Sequence, residues 1–136
     1  MKKIIFSLLV GGSLFAGCYY DKADVVNPNS ILLGCDTANV SYAGSIASYI
    51  SNTGCNTCHG SAVAKSSGGG IILDTYEGVK TEALNGELLP SVRQDATCSV
   101  CTTPNYEPMP KGGGPKPSSC TLNQIAAWIN QGAKNN

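Results

Sequence analysis

The chain has 136 residues, a formal net charge of zero and 13% charged residues. This neutral balance gives no electrostatic reason to expect binding to nucleic acid. The length allows one small domain. Both phenylalanines, Phe6 and Phe15, lie in the first sixteen residues, so the other aromatic side chains are six tyrosines and one tryptophan. We therefore expect a core that is completed by a cofactor, by disulfides or by both.

The first seventeen residues have the features of an export signal. Two lysines follow the initial methionine, and residues 4–14 form an apolar run that is shorter than the roughly twenty residues of a membrane span. Residues 14–18, Leu-Phe-Ala-Gly-Cys, resemble a bacterial lipobox, which predicts a signal peptide over 1–17 and lipidation of the Cys18 thiol. The alternative is an ordinary secretory signal that leaves Cys18 unmodified.

Residues 18–34 predict a flexible tether, because they mix charges with an Asn-Pro-Asn-Ser run and carry no periodic apolar pattern. A lipid on Cys18 would attach the domain that follows to a membrane. Tyr19 stands after Cys18 where an aspartate would favour the inner membrane, so an outer membrane is favoured in a host with two. The predicted location is an exported domain, residues 35–136, that is anchored to a bacterial membrane and faces the periplasm or exterior.

The apolar periodicity of residues 35–136 predicts an all-α domain of three or four short helices. The first covers 42–51, ends at Gly54, and has an apolar face made by Ala43, Ile46, Ala47 and Ile50. The second covers 75–84 with Val79 and Leu84 pointing inward, and 87–93 adds a turn or two that Pro90 limits.

The last helix is predicted to start at Thr121, with Gln124 completing a capping box, and to close at Gly132. Its apolar stripe is Leu122, Ile125, Ala126 and Ile129. Long loops separate these helices. Residues 66–70 are Ser-Ser-Gly-Gly-Gly, and 104–117 contains five prolines, which excludes helix and central strand there.

The sequence Cys55-Asn56-Thr57-Cys58-His59 carries the chemistry. Cys-x-x-Cys-His is the signature of c-type haem attachment, in which both thiols become thioethers and the imidazole binds the iron. His59 is the sole histidine of the chain and stands at the position that the motif requires. Once the signal is removed, Met109 is the sole methionine, and it lies between Pro108 and Pro110.

From about residue 42 to 133 the sequence resembles the small class I cytochrome c domains of bacterial lipoproteins. The shared features are a helix that enters the Cys55 motif, a Gly-rich loop, a Pro-Met-Pro-Lys-Gly segment and a terminal helix with Ala127-Trp128-Ile129. The resemblance implies a cytochrome c fold around one haem c, with Cys55 and Cys58 as thioethers and His59 and Met109 as the proximal and distal iron ligands. Because both axial positions are then filled, it implies an electron carrier for redox partner proteins and neither an enzyme nor a small-molecule substrate.

Three alternatives remain open, whereas a thioredoxin-like oxidoreductase is disfavoured because no strand–helix alternation surrounds either Cys-x-x-Cys pair. If Met109 does not bind iron, an open site would fit a haem enzyme or a ligand sensor. If Cys55, Cys58, Cys98 and Cys101 bind zinc, the module is structural, although 39 residues separate the two pairs where about 15–20 are usual. The third alternative is that each Cys-x-x-Cys pair forms an ordinary disulfide. Cys98-Ser99-Val100-Cys101 is followed by threonine and not histidine, so a second haem is not expected.

One lipidated and two haem-bound cysteines would leave Cys35, Cys98, Cys101 and Cys120, which allow three pairings. The closeness of Cys98 to Cys101 favours a local bridge. In the fold that the sequence resembles, the first and last helices pack together, and this implies a Cys35–Cys120 bond. A bond from Cys35 to Cys98 or Cys101 is the alternative.

Overall fold

The computed structural model describes residues 35–102 and 106–136. The predicted signal peptide, the tether and Cys18 lie outside this part of the chain. In the described ranges the chain forms six helices and no strand, which confirms the all-α class for that part. The helices are α1 (a π-helical start, Tyr42–Ala47, continued by Ser48–Asn52), α2 (Asn56–His59), α3 (Ala64–Ser67), α4 (Tyr76–Leu84), α5 (Leu88–Arg93) and α6 (Ser119–Asn130). None of these six could span a lipid bilayer, being too short and too polar.

The cap of α1 is built from both ends of the domain. Ser41 Oγ accepts the N–H of Gly44 at 3.1 Å and donates to the Asn136 carbonyl at 2.9 Å. The N–H groups of Ala43 and Tyr42 donate to the Asn136 carbonyl and side-chain oxygens at 3.1 and 2.9 Å. These bonds satisfy first-turn N–H groups that have no acceptor within the helix.

The helix expected over 42–51 is confirmed, with Ile46 and Ile50 on its buried face. Ala43, assigned to that face from the sequence, is exposed, and Tyr42 is buried instead. Thr53 and Gly54 follow the helix, and the φ of +76° at Gly54 turns the chain out of it, as expected for a glycine stop.

Trp128 of α6 is the centre of the core and is fully buried. Its Nε1 donates to the Lys134 carbonyl at 2.8 Å, so the indole is buried without losing a hydrogen bond. The Tyr42 ring lies 5.7 Å from it, and Tyr76 meets Tyr42 edge-on at 5.0 Å. Apolar side chains from α1, α4, α5 and α6 complete this core: Ile46, Ile50, Val79, Leu88, Val92 and Ile125.

The inward face of α4 differs from the sequence prediction at one position. Thr75 caps the helix by accepting the Gly78 N–H, and Val79 is fully buried, as expected. Leu84, predicted to point inward, is 61% exposed, and Ala83 is buried in its place. Ala83 lies four residues after Val79 and shares its face. Leu84 lies five residues after Val79 and points away from that face, because an α-helix has 3.6 residues per turn.

Two predicted boundaries are also corrected. The cap of α6 is Ser118 and not Thr121, because Ser118 Oγ accepts the Thr121 N–H at 3.1 Å. Gln124, assigned to a capping box, instead donates to the Asp36 carbonyl at 3.2 Å. Residues 66–70, predicted to be a loop throughout, begin inside the short helix α3.

The start of the described chain is held against α6. A disulfide joins Cys35 to Cys120, with their Cα atoms 5.5 Å apart. Gln131 Nε2 donates to the carbonyl oxygens of Thr37 and Ala38 at 2.9 and 3.0 Å. This segment therefore packs along the terminal helix before the chain enters α1.

Candidate functional site

Cys55, Cys58 and His59 lie on the single helical turn α2. Cys55 stands at its N-cap, and its carbonyl accepts the N–H groups of Cys58 and His59 at 3.2 and 2.9 Å. Residues three apart on a helix face the same side, so the two thiols share a face. Both thiols are free, whereas the other four described cysteines form disulfides. Cys55 is half-buried and Cys58 is exposed.

Thr53 orients the Cys55 thiol. Its Oγ1 donates to the Tyr49 carbonyl at 2.7 Å and lies 3.3 Å from Cys55 Sγ. Because the hydroxyl proton is used on Tyr49, the oxygen is left to accept from the thiol S–H. Burial raises the pKa of the neighbouring Tyr49 phenol, and the Cys55 sulfur contributes to the rise.

The His59 imidazole is half-buried and held by the backbone. Its Nδ1 lies 3.2 Å from the Ile71 carbonyl oxygen. A carbonyl can only accept, so this bond places the proton on Nδ1 and leaves the Nε2 lone pair available to a metal. A backbone carbonyl behind a histidine is a common way of fixing the ring of a metal ligand.

The segment after the motif is fastened to it. The Leu73 N–H donates to the His59 carbonyl at 2.7 Å. Asp74 Oδ2 accepts both the N–H and the hydroxyl of Ser61, at 2.8 and 2.6 Å. These Ser61 bonds hold the pKa of the Asp74 carboxyl below its ordinary value. The carboxylate thus clamps the two segments on either side of α3.

Gly68 lies directly behind the motif. A Cβ at this position would stand 2.5 Å from the Cys58 carbonyl oxygen and 2.8 Å from His59 Nδ1. Such distances are shorter than van der Waals contact, so any side chain would displace both site residues. From the sequence, the Gly-rich loop is expected to be flexible. In the structure its first glycine, Gly68, instead allows the backbone to pack closely against Cys58 and His59.

We expect Gly68→Ala to lower the free energy of unfolding by about 1–3 kcal/mol, the usual cost of overpacking. The nitrogen resonances of His59, the sole histidine, should shift in the same variant. Urea unfolding and NMR measure the two effects.

Gly69→Ala is the matched control, because its Cβ would meet nothing within 4 Å and its φ of +64° adds backbone strain alone. It should leave the His59 resonances in place. If both variants shift these resonances equally, the close contact is not what positions the imidazole.

Met109 is held against α5 by a backbone hydrogen bond. Its N–H donates to the Ser91 carbonyl at 2.9 Å, and its side chain is half-buried. Gln94 Nε2 donates to the Gly114 carbonyl at 3.1 Å, and Lys111 pairs with Glu107 at 2.8 Å. The Pro-rich segment is therefore anchored at the end of α5.

An open pocket of about 330 Å³ lies beside Met109. It is lined by Gln94, Glu107, Pro108, Pro110, Lys111, Gly112 and Gly113. None of Cys55, Cys58 and His59 contributes to its wall. The pocket belongs to the Met109 segment and not to the Cys-x-x-Cys-His turn.

The four-cysteine zinc site considered from the sequence is not assembled. Cys98 and Cys101 are joined to each other in a disulfide, so their sulfurs are not thiolate ligands. In residues 35–102 and 106–136 no three Cys, His, Asp or Glu side chains converge to hold a metal ion.

Three contributors to the site are absent from the sequence predictions: Thr53, Gly68 and the Ile71 carbonyl. Thr53 stands two residues before the first motif cysteine, which is a weak signal. Gly68 and Ile71 act through backbone geometry, and their residue types alone give no indication of it. Comparison with protein-family models, with curated proteins and with solved structures found no match.

Proposed function

We propose that this chain is a lipid-anchored c-type cytochrome with one covalently attached haem and that it transfers single electrons between redox partner proteins. One observation carries the proposal. Two free thiols share a face of a helical turn that ends at the sole histidine, and the Nδ1 of that histidine is occupied by a backbone carbonyl. This donor set is the one that haem c needs.

The roles of the residues follow from their chemistry. Cys55 and Cys58 would form the thioethers, and the exposure of Cys58 leaves its sulfur accessible for bond formation. His59 would bind iron through Nε2, with the Ile71 carbonyl holding the ring and increasing its basicity. When bound, haem supplies an iron that takes up and releases one electron. The small cytochrome c fold that the sequence resembles is part of the same proposal.

The decisive experiment is denaturing electrophoresis of the purified protein, made in a host that matures c-type cytochromes. Haem should remain with the polypeptide band, since a thioether survives denaturation, and the reduced protein should show a c-type spectrum. A protein that lacks haem absorbance, with or without bound zinc, would contradict the proposal.

Met109 is proposed as the distal iron ligand. Met109→Leu preserves the size of the side chain and removes the thioether sulfur. We expect the variant to lose the weak red-edge absorption of the oxidised protein and to have a lower reduction potential, because Met/His ligation raises it. Absorption spectroscopy and redox titration measure both.

Glu107→Gln is the control, because it breaks the ion pair with Lys111 in the same segment and keeps the sulfur. It should retain the red-edge band. Immediate, tight cyanide binding by the wild type would show an open iron, and the haem enzyme or ligand sensor would then replace the electron carrier.

Anchoring through lipidated Cys18 is the other part of the proposal, supported by the lipobox-like residues 14–18. Cys18→Ser should move the protein from the membrane fraction to the soluble fraction and abolish labelling by radioactive fatty acid. Fractionation and autoradiography measure this. Equal membrane retention of both forms would place the anchor elsewhere.

A further inference from the structure

The second Cys-x-x-Cys sequence forms a disulfide that the proposed electron transfer does not use. Cys98 and Cys101 are three positions apart, so their bond closes a small local ring. The Cys35–Cys120 bond, in contrast, joins residues 85 positions apart and connects two distant segments. A crosslink within one loop restricts the unfolded chain much less than a long-range one and joins no distant segments, so stabilising the tertiary fold is a poor explanation for the Cys98–Cys101 bond.

The ring is accessible from one side and supported from the other. Both cysteines are half-buried, and Ser99 and Val100 between them are exposed, with Val100 at 66%. On the protein side, the Thr102 N–H donates to the Asn85 carbonyl at 3.2 Å. A Cβ on Gly86 would lie 2.8 Å from the Val100 carbonyl oxygen, so the ring packs directly on this turn.

Gly86 also presents its carbonyl oxygen to both sulfurs. The distances are 3.9 Å to Cys98 Sγ and 3.7 Å to Cys101 Sγ. A disulfide has no S–H to donate, whereas a reduced cysteine does. Reduction would therefore allow a thiol to donate a hydrogen bond to this carbonyl, which favours the dithiol form.

We propose that Cys98–Cys101 is a thiol–disulfide exchange site whose partner is a dithiol, a molecule that carries two neighbouring thiols. A thiolate of the partner attacks one sulfur, the Cys98–Cys101 bond breaks, and a mixed disulfide forms while the other cysteine leaves as a thiolate and takes up a proton. The second thiol of the partner then attacks the mixed disulfide and releases the first cysteine. The chain gains two electrons and two protons, and the partner becomes a disulfide. Accessible local disulfides are the ones that exchange in this way.

The test uses two alkylating reagents of different mass on the folded wild-type protein. The first reagent blocks thiols that are free at the start. The protein is then equilibrated with reduced and oxidised dithiothreitol at graded ratios, and the second reagent labels the newly formed thiols for peptide mass analysis. Cys98 and Cys101 should take the second label at a ratio of reduced to oxidised reagent at least tenfold lower than Cys35 and Cys120 require.

Labelling of all four cysteines at the same ratio, or labelling of Cys98 and Cys101 only when the chain unfolds, would overturn the proposal. The first label reports separately on Cys55 and Cys58, which react if they carry no haem. Failure of haem attachment is thereby distinguished from failure of exchange.

A substitution of Gly86, against which the Cys98–Cys101 loop packs, provides a second test of the proposal. Gly86→Ala should displace the Val100 carbonyl and the acceptor that faces the two sulfurs. We expect the ratio of reduced to oxidised dithiothreitol that reduces the Cys98–Cys101 bond by half to rise towards that of Cys35–Cys120. An unchanged ratio in a folded variant would show that the Gly86 carbonyl does not favour the reduced form and would remove the structural basis of the proposal.

Discussion

Cys55→Ala/Cys58→Ala should abolish covalent haem attachment, leaving no haem stain with the polypeptide after denaturing electrophoresis. The two sulfurs are the atoms that would form the thioethers, and in the structure both are free. His59 is kept in this variant, so haem held by axial ligation alone remains possible in the native protein. That haem would be lost on denaturation, and the gel therefore reports the covalent bonds separately.

The matched control is Cys98→Ala/Cys101→Ala, which removes the other Cys-x-x-Cys pair and should keep the stain. Circular dichroism of both variants shows whether the helices persist. Cys55 packs at the edge of the core, so a loss of helix in the first variant would indicate that the motif also supports the fold. A haem-stained band of wild-type intensity from the first variant would show that attachment occurs elsewhere.

Cys35→Ser/Cys120→Ser should lower the free energy of unfolding by about 4–5 kcal/mol, because the bond closes a long loop in the unfolded chain. The two cysteines are 85 positions apart. The loss is a large part of the roughly 5–15 kcal/mol that stabilises a typical domain. Urea unfolding followed by the fluorescence of Trp128, the sole tryptophan, measures it.

The native structure of this variant should change little. Gln131 and Gln124 still bond the carbonyl groups of the segment that begins at Cys35, so the effect arises mainly in the unfolded state. Cys98→Ser/Cys101→Ser is the comparison, and its four-residue ring predicts a loss of about 2 kcal/mol. Equal losses in the two variants would show that loop closure is not the source of the stabilisation.

The positions of helices can be predicted from the sequence where the periodicity of apolar residues is strong. The helix over 42–51 and the burial of Val79 and Ile125 needed no more than the spacing of apolar side chains. The prediction for Leu84 is wrong because an apolar residue type favours burial, whereas its angular position on α4 points it away from the core. The predicted start of α6 is wrong because Ser118 and Thr121 are both good caps, and which of them caps the helix depends on the backbone that precedes it.

The residues of the candidate site also fall into those that the sequence predicts and those that depend on the tertiary fold. The motif itself identified Cys55, Cys58 and His59 as one unit. The residues that hold it, Gly68 and the Ile71 carbonyl, depend on how the chain folds back over the turn, which no local pattern records. The Met109 segment was recognised as irregular from its prolines, but its attachment to Ser91 is a contact between distant parts of the sequence.

The hydrogen bonds of Asn136 make the stability of α1 depend on a residue that is distant in sequence. It accepts three hydrogen bonds at the start of α1, and its Nδ2 donates to the Val40 carbonyl at 3.3 Å. A helix cap is ordinarily supplied by a residue next to the helix, so that fraying is a local event. Here the local cap, Ser41, is supplemented by a residue more than ninety positions away, and removing that residue would loosen α1, the helix that leads into the Cys55 turn. A substitution at Asn136 would therefore act on the start of a helix that lies more than ninety residues earlier in the chain.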